Sequence, residues 1–215
     1  GLLRRDELHG YQVYCTEFLK SHTNCALFLD CGLGKTVISL TVISDLLFDS
    51  YEVSRILAIS PLRVTNVWAD EVRKWEHLNS IRVERVVGTQ KDRIAALSRR
   101  AELYIINREN VEWLVKHYAG RRLPFDMLVI DELSSFKNSH AKRFIALKRV
   151  VGQFSRVVGL TGTPAPNGLE DLWPQIFLLD RGARLGRTMR SYVDMFFTTP
   201  NSWLPYKHEL KPGAE

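Results

Sequence analysis

Short apolar runs alternate with longer amphipathic runs along most of the chain, and this alternation limits the possible folds more than any other sequence feature. The apolar runs are rich in Val, Ile and Leu with little polar alternation, which is typical of strands buried on both faces. Six of them are predicted to be strands: Ala26–Asp30, Arg55–Ser60, Ile81–Val87, Leu103–Asn107, Met127–Asp131 and Arg156–Thr161. The amphipathic runs are predicted to be helices: Leu8–Lys20, Lys35–Phe48, Val64–Trp75, Lys91–Arg99, Asn110–Tyr118 and Ser139–Val150. Together they predict an α/β fold, in which an open, mostly parallel sheet carries helices on both faces.

The pattern changes after the last predicted strand. The stretch TGTPAPNGLEDLWPQ, residues 161–175, is rich in turn residues, and the chain from Asp180 onward is polar and aromatic without a clear strand. We interpret this tail as helices and loops packed on the edge of the sheet. The expected organisation is therefore a sheet domain over residues 1–180 and an extension over residues 181–215.

Composition sets further limits on the class of protein. The 215 residues are 45% hydrophobic and 25% charged, which suits one substantial core and is short for two. No apolar stretch reaches the roughly 20 residues needed to span a membrane. The three cysteines form no CxxC pair, which fits a reducing compartment such as the cytoplasm, or the nucleus of a eukaryote. The net charge of +6 permits a polyanionic partner.

The stretch LFLDCGLGKTVISL, residues 27–40, has the composition of a phosphate-binding loop between a strand and a helix. Gly32 and Gly34 can adopt positive φ, so that their backbone N–H groups surround an anion. Lys35 adds a positive charge at the start of the next helix, and the Thr36 hydroxyl can coordinate Mg²⁺. The usual motif begins with a further glycine, which is a leucine here. A plain strand-to-helix turn that happens to contain GKT remains the alternative.

Two carboxylates follow a buried strand in MLVIDE, residues 127–132. A magnesium–phosphate site needs such an anchor at the tip of a neighbouring strand. We expect Asp131 to hold Mg²⁺ through water and Glu132 to orient and deprotonate an attacking water. The alternative is a pair of residues that caps a helix.

Two hydroxyls lie at the tip of the last predicted strand. Thr161 and Thr163 flank a glycine and precede a proline. We expect them to sense the terminal phosphate or to contact Glu132, which would couple the state of the nucleotide to the rest of the protein. An ordinary Thr/Pro turn is the alternative.

The order of these motifs resembles the first motor lobe of Swi/Snf-type ATPases, within superfamily 2 of the helicase-related proteins. The matching segments are LHGYQ (8–12), DCGLGKT (30–36), ISPL (59–62), VIDELSSFKN (129–138) and LTGTPAPNGLEDLW (160–173). The tail looks like that of compact bacterial and phage members. The resemblance implies a RecA-like P-loop lobe that binds ATP and Mg²⁺ and works against a second similar lobe.

The resemblance also implies roles for individual residues. Gln12 matches the glutamine that reads the adenine edge, and a surface glutamine is its alternative. The remaining ATP-site positions are Gly32, Leu33, Gly34, Lys35 and Thr36 in the loop, with Thr36 and Asp131 as Mg²⁺ ligands and Glu132 as the catalytic base. Lys35, Asp131 and Glu132 form the catalytic set.

Two further segments match loops that meet the backbone of nucleic acid. ISPLRVTNVW offers Arg63, and IINRENVEW offers Asn107 and Arg108. Solvated surface charges are an equally good interpretation of these residues. Phosphate contacts would give affinity without sequence readout, so the expected partner is duplex DNA bound through its backbone.

The chain departs from the family in three respects. After the position of the family's Thr-Pro-Leu, the usual Gln-Asn is replaced by Pro166-Asn167. In the familiar Asp-Glu-Ala-His box, the alanine is Leu133 and the histidine is Ser134, which puts the coupling between ATP and nucleic acid in doubt. A second lobe, which would supply an arginine to the transferring phosphoryl group, is not recognisable in the sequence.

The sequence therefore predicts the ATP-binding motor lobe of an ATP-dependent DNA translocase, nearly inactive on its own. Three alternatives remain open: a helicase or restriction-system motor of superfamily 2, a P-loop kinase, and a nucleotide-gated binding module without turnover. A kinase would need an acceptor site and a lid. A binding module would not need the carboxylate of Glu132.

Overall fold

The six predicted strands all form and pair in parallel in the computed structural model, which describes residues 1–29, 34–162, 174–175, 177–179 and 197–198. They are β1 (Asn24–Phe28), β2 (Ile56–Ser60), β3 (Val83–Val86), β4 (Leu103–Asn107), β5 (Met127–Asp131) and β6 (Arg156–Thr161). With a seventh strand, the order across the sheet is β3-β4-β2-β5-β6-β1-β7. The prediction of an α/β fold with a parallel sheet is confirmed.

The seventh strand corrects one expectation. The tail was predicted to contain no clear strand, yet β7 (Phe197–Thr198) pairs in parallel with Ala26–Leu27 of β1. Two residues are too few to show a period of their own, so only the neighbouring strand defines them as a strand. The division of the chain at residue 180 otherwise concerns residues outside the described ranges and stays a prediction.

The six predicted helices are also confirmed, with ends that differ from the prediction by at most four residues. They are α1 (Gly10–Ser21), α2 (Lys35–Ser44), α3 (Thr65–Lys74), α4 (Gln90–Ser98), α5 (Val111–His117) and α6 (Lys142–Val150). A π-type turn, Asp45–Asp49, extends α2. Short 3₁₀ turns lie at Arg5–Glu7, Leu62–Val64, Glu76–Leu78, Arg108–Asn110, Leu133–Phe136 and Val151–Gln153. None of the helices in the described part of the chain is long and apolar enough to cross a membrane.

The sheet separates two hydrophobic cores. Every residue of β2, β4 and β5 is buried, which explains why these strands are apolar without alternation. In β2, Leu57 and Ile59 face the core that contains side chains of α4, α5 and α6. Ile56 and Ala58 face the core that contains side chains of α1, α2 and α3. The helices therefore cover both faces, as predicted.

The register of the sheet brings the carboxyl ends of five strands to one edge. Thr161 at the end of β6 lies opposite Phe28 of β1, and Asp131 at the end of β5 lies opposite Leu160 of β6. On the other side, Ser60 of β2 lies opposite Asn107 of β4. The motifs after these strands are therefore neighbours in space, which is where open α/β sheets bind ligands.

A buried arginine at the opposite edge holds the end of α1. Arg156 opens β6 and is only 7% exposed. Its guanidinium donates to the carbonyls of Leu19 (3.2 Å), Lys20 (2.8 Å) and His22 (3.4 Å) and to Oε2 of Glu52 (2.8 Å). The last carbonyls of a helix have no partner within the helix, so Arg156 supplies donors that α1 would otherwise lack.

Replacement of this arginine should destabilise the protein. Arg156→Met keeps an apolar side chain of similar length but leaves buried carbonyls without donors, and we expect a loss of about 2–4 kcal/mol in the free energy of unfolding. Urea denaturation measures this change. Arg99→Met is the control, because the Arg99–Glu84 pair is exposed and its loss should leave the midpoint nearly unchanged. Equal midpoints for the wild type and Arg156→Met would contradict this account of α1.

Candidate active site

The site begins with a glycine that no other residue could replace without strain. Gly34 precedes α2 with φ 81° and ψ 35°, in the left-handed region. A Cβ at this position would also overlap Nε2 of Gln12. Gly34 therefore permits both the turn and the close approach of α1. The other predicted loop residues, Gly32 and Leu33, lie outside the described residues.

Gln12 is buried against this glycine. Its side chain is 6% exposed, so the alternative interpretation as a surface glutamine is wrong. Its Oε1 accepts a hydrogen bond from the backbone N–H of His9 at 2.9 Å, which fixes the amide, and its Nε2 faces Gly34. The amide therefore lies beside the predicted phosphate loop, and its role toward adenine stays a prediction.

The lysine of the loop meets the glutamate at the tip of β5. Nζ of Lys35 donates to Oε1 of Glu132 at 3.0 Å, and the two side chains are 14% and 36% exposed. The two residues are 97 positions apart in the chain. The fold thus brings together two of the three predicted catalytic residues, and Asp131 is the neighbour of one of them.

The backbone of Glu132 is strained. Its φ of 59° and ψ of 64° lie in the left-handed region, which costs a non-glycine residue about 1–2 kcal/mol. Tyr51 is the other non-glycine residue with positive φ in the described part of the chain. Such strain persists only where the surrounding structure imposes it, and it is common at functional positions. Here it starts the Leu133–Phe136 turn and turns the Glu132 side chain toward Lys35.

Asp131 is a buried carboxylate that accepts a hydrogen bond from a neutral side chain. It is 5% exposed, and its Oδ2 accepts a hydrogen bond from Nε1 of Trp68 at 3.1 Å. Burial raises the pKa of Asp131 above its usual value, although the bond from Trp68 and the charge of Lys35 act in the opposite direction. A carboxylate in this position would be stabilised by a bound cation.

Trp68 is a site residue that the sequence analysis did not identify. It lies on α3 with no exposed surface, and it contacts a strand 63 residues away. A buried indole N–H usually has a hydrogen-bond acceptor, so a tryptophan on the buried face of a helix indicates that some acceptor lies nearby. Nothing in the local pattern indicated that the acceptor is Asp131.

The donors present fit magnesium. Mg²⁺ usually keeps several waters and takes one or two protein ligands together with substrate phosphates. The Thr36 hydroxyl, in the first turn of α2, and the buried Asp131 carboxylate are of the chemical types that could serve as these ligands, and their role stays a prediction. Within the described ranges, no cluster of three or more His, Cys, Asp and Glu side chains could hold a metal alone. The site would therefore hold Mg²⁺ only together with a phosphate ligand.

Thr161 lies on the strand between β1, which precedes Gly34 and Lys35, and β5, which ends in Asp131. It ends β6, which separates β1 from β5, and it is fully buried. Its Oγ1 has no hydrogen-bond partner among the described residues. A buried hydroxyl without a partner indicates a place for a ligand atom or a water. Thr163, the second predicted coupling residue, lies outside the described residues.

The leucine in place of the family's alanine is accommodated by a glycine in β6. Leu133 is fully buried, and a Cβ built on Gly159 would lie 2.7 Å from its Cδ2. The larger side chain after the two carboxylates therefore depends on the absence of a side chain on the neighbouring strand. The turn that follows Glu132 and the strand that ends in Thr161 are in direct contact.

The three candidate nucleic-acid residues lie at the same edge as the site, after β2 and β4. Arg63 is exposed in the turn after β2. Asn107 is only 6% exposed, and its amide donates to Oε2 of Glu109 (3.0 Å) and accepts from Nδ2 of Asn110 (2.7 Å). Arg108 pairs with Glu109 at 3.3 Å. Arg63 is thus exposed to solvent, whereas Asn107 stabilises its own turn.

A parallel sheet with a glycine–lysine loop after β1 and paired carboxylates after β5 defines a RecA-like nucleotide-binding lobe. The SNF2-related domain family matches residues 8–186, and the chain belongs to this family of ATPases.

Relatives of this chain come from phages and from eukaryotes. "Putative protein p41" of Acyrthosiphon pisum secondary endosymbiont phage 1 is 40% identical over 173 residues, covering 77% of this chain and 37% of the relative. "Transcription regulatory protein SNF2" of Saccharomyces cerevisiae is 28% identical over 207 residues, covering 93% of this chain and 12% of the relative. The chain thus spans only part of the proteins it matches.

A solved structure shares the fold. The SWI2/SNF2 ATPase core of Sulfolobus solfataricus, determined in complex with dsDNA, matches with a TM-score of 0.73 at 22% sequence identity. The match covers 90% of this chain and 44% of that chain. This likeness confirms the RecA-like α/β architecture.

Asp131→Asn should stabilise the ligand-free protein at neutral pH. The amide keeps the bond from Trp68 and removes a buried charge, so we expect the melting temperature to rise by about 2–4 °C. Because burial raises the pKa of Asp131, the folded wild type is destabilised at pH values above that pKa, where the buried carboxylate is ionised. The difference in melting temperature between Asp131→Asn and the wild type should therefore shrink as the pH falls through the raised pKa of Asp131 toward the pKa of an ordinary aspartate.

Thermal melts near pH 7.5 and pH 5 measure this effect, and addition of Mg-ATP should stabilise the wild type more than the variant. Asp126→Asn is the control. Its two carboxylate oxygens accept from the backbone N–H groups of Ser54 (2.8 Å) and Arg55 (3.1 Å), so the amide should lower the melting temperature. A lower melting temperature for Asp131→Asn at neutral pH would contradict the burial argument.

Proposed function

We propose that this chain is the ATP-binding motor lobe of an ATP-dependent translocase that acts on double-stranded DNA. Membership of the SNF2-related family supports ATP hydrolysis, and the complex of the Sulfolobus ATPase core with dsDNA supports the choice of partner. The observation that carries the proposal is the contact of Lys35 with Glu132 beside the buried Asp131. A strand-to-helix turn without a phosphate role would not require this arrangement.

ATP binding would change the partner of Lys35. In the ligand-free protein the Lys35 ammonium forms an ion pair with Glu132, so the binding of a triphosphate must break this pair. The amino end of α2 adds backbone N–H groups and a partial positive charge to the same place. Gln12 would meet the adenine edge, since its amide offers both a donor and an acceptor. Thr36 and Asp131 would hold Mg²⁺, which supplies charge neutralisation between the phosphates.

Release from Lys35 leaves the Glu132 carboxylate free for chemistry. It would orient the attacking water and accept its proton, and the fixed, strained backbone would define where the carboxylate points. The hydroxyl of Thr161, which has no partner among the described residues, would bind the terminal phosphate or Glu132. Through the contact of Leu133 with β6, loss of that phosphate would also affect the turn after Glu132.

Duplex DNA would cross the same edge of the sheet beyond β2 and β4. The exposed Arg63 is the best placed of the predicted contacts, and Arg108 could join it after leaving Glu109. Contacts of this kind bind phosphates without reading bases. A helicase or a restriction-system motor could use the same lobe, and the remainder of the parent protein would distinguish them.

Catalysis would require a second lobe. The chain covers 44% of the Sulfolobus core and 37% of the phage relative, which supports a longer parent protein. None of the site groups described here supplies a cation on the far side of the phosphoryl group from Lys35. In other phosphoryl-transfer enzymes, an arginine in that place contributes about 10³–10⁵ in rate. We propose that the second lobe provides it.

Glu132→Gln and Lys35→Ala should separate binding from turnover. Lys35→Ala removes the charge that meets the phosphates, so Mg-ATP binding by the 215-residue chain should be lost. The chain should remain folded with a modestly lower melting temperature, because Glu132 and Asp131 lose a nearby cation. Glu132→Gln should bind ATP at least as tightly as the wild type, because the nucleotide no longer has to break an ion pair. In a protein with both lobes, it should lower kcat by about 10²–10⁴-fold.

Calorimetric titration with ATP and steady-state hydrolysis provide the two measurements. Lys91→Ala on α4 is a control for the loss of a lysine away from the site. Unchanged ATP affinity in Lys35→Ala would overturn the phosphate site, and normal turnover in Glu132→Gln would overturn the base.

The 215-residue chain alone should hydrolyse ATP very slowly, and duplex DNA should stimulate it little. One lobe lacks the proposed arginine and offers only part of the DNA contacts, so binding should also weaken steeply with salt. Steady-state hydrolysis with and without duplex DNA, beside the full parent protein, tests this. Strong stimulation of the fragment would instead indicate a self-sufficient enzyme or a homodimer.

A further inference from the structure

A buried carboxylate lies far from the phosphate loop, at the other end of α2. Asp45 begins the π-type turn that extends this helix, and its side chain is 7% exposed. Arg5 binds it in a bidentate manner, with distances of 2.5 Å to Oδ1 and 2.8 Å to Oδ2. Lys20 binds Oδ2 at 3.0 Å. Although burial acts in the opposite direction, the two cations hold the pKa of Asp45 below its usual range.

The two cations come from opposite ends of the segment that carries Gln12. Arg5 precedes α1, and Lys20 lies in its last turn. Since Gln12 approaches Gly34 at the start of α2, and Lys20 approaches Asp45 after its end, the two helices lie side by side in the same direction. Their amino ends meet at the nucleotide site, and their carboxyl ends meet at Asp45.

The segment before α1 is itself fixed. Leu3 donates its N–H to the carbonyl of Lys74 and accepts from the N–H of Glu76, both at 2.8 Å, as an isolated parallel bridge beside Trp75. Arg5 therefore reaches Asp45 from an anchored backbone. A carboxylate with two cationic partners and little solvent exposure has one favourable position, so it defines how far α1 lies along α2.

We propose that Asp45 is a positioning residue for nucleobase recognition, which sets the register of α1 against α2 through Arg5 and Lys20 and thereby holds the Gln12 amide at Gly34. Asp45 does not touch the nucleotide. Loss of this carboxylate should let α1 slide or rotate, which displaces Gln12 but leaves Lys35 and the amino end of α2 in place. The inference rests on the proposed ATP site.

The test compares ligands that do and do not carry a base. Calorimetric titrations of the 215-residue chain use ATP, GTP and inorganic tripolyphosphate, each with Mg²⁺. Asp45→Asn should weaken ATP binding by about fivefold to tenfold, the effect of one lost hydrogen bond, and should reduce the preference for ATP over GTP. Tripolyphosphate affinity should stay within about twofold, since the phosphate groups do not depend on Gln12.

A double-mutant cycle tests whether Asp45 acts through Gln12. In a Gln12→Ala background, Asp45→Asn should cause no further loss of ATP affinity. Glu102→Gln is the matched control, because Glu102 pairs with Arg82 at 2.5 Å at the far end of the sheet. It should leave all three affinities unchanged. If Asp45→Asn fails to fold, Lys20→Met keeps the carboxylate and removes one partner, and a smaller change in the same direction is expected.

Three results in a folded variant would overturn the proposal: an equal loss for ATP and tripolyphosphate, additive losses in the cycle, or an unchanged preference for ATP over GTP. Failure of the ATP site gives a different result. In that case the wild type binds neither ATP nor tripolyphosphate, or Lys35→Ala binds them normally, and both proposals fall. If Lys35→Ala abolishes binding while Asp45→Asn changes nothing, only the positioning role is wrong.

Discussion

The parallel pairing of β6 with β1 on one side and β5 on the other determines where the polar groups of the site lie. Because the three strands end in register, Lys35 after β1, Thr161 at the tip of β6 and the carboxylates at the end of β5 lie close together. Lys35 and Glu132 meet here, with Thr161 between the strands that carry them. The site then concentrates features that do not favour folding: a buried carboxylate, a glutamate with left-handed backbone, and a buried hydroxyl for which the described residues offer no partner.

The elements of the fold could be predicted because the burial of each element determines the pattern of apolar residues in its sequence. Strands covered on both faces are continuous apolar runs, and helices covered on one face are periodic, so strands β1–β6 and helices α1–α6 were recognised. The site residues after β1 and β5 followed from the rule that parallel strands bring their carboxyl ends to one edge. Helix ends were less accurate, as with α6, which begins at Lys142 rather than Ser139.

Contacts between distant segments could not be predicted, because neither partner shows them in its local sequence. Trp68 reaches Asp131 across 63 positions, and Arg156 reaches Glu52 across 104. Asp45 reads as an ordinary polar residue near the end of a helix until Arg5 and Lys20 approach it in three dimensions. The left-handed backbone of Glu132 was equally hidden, since glutamate has no preference for that region. The β7 strand exists only through its neighbour.

The contact between Leu133 and Gly159 has a consequence for substitutions at either position. A methyl group on Gly159 would collide with the leucine, so the two positions share one volume that either side may fill. Alanine at position 159 would force the Leu133 side chain to shift, and alanine at position 133 would leave a cavity beside Gly159. The effects of substitutions at the two positions on stability should therefore be non-additive.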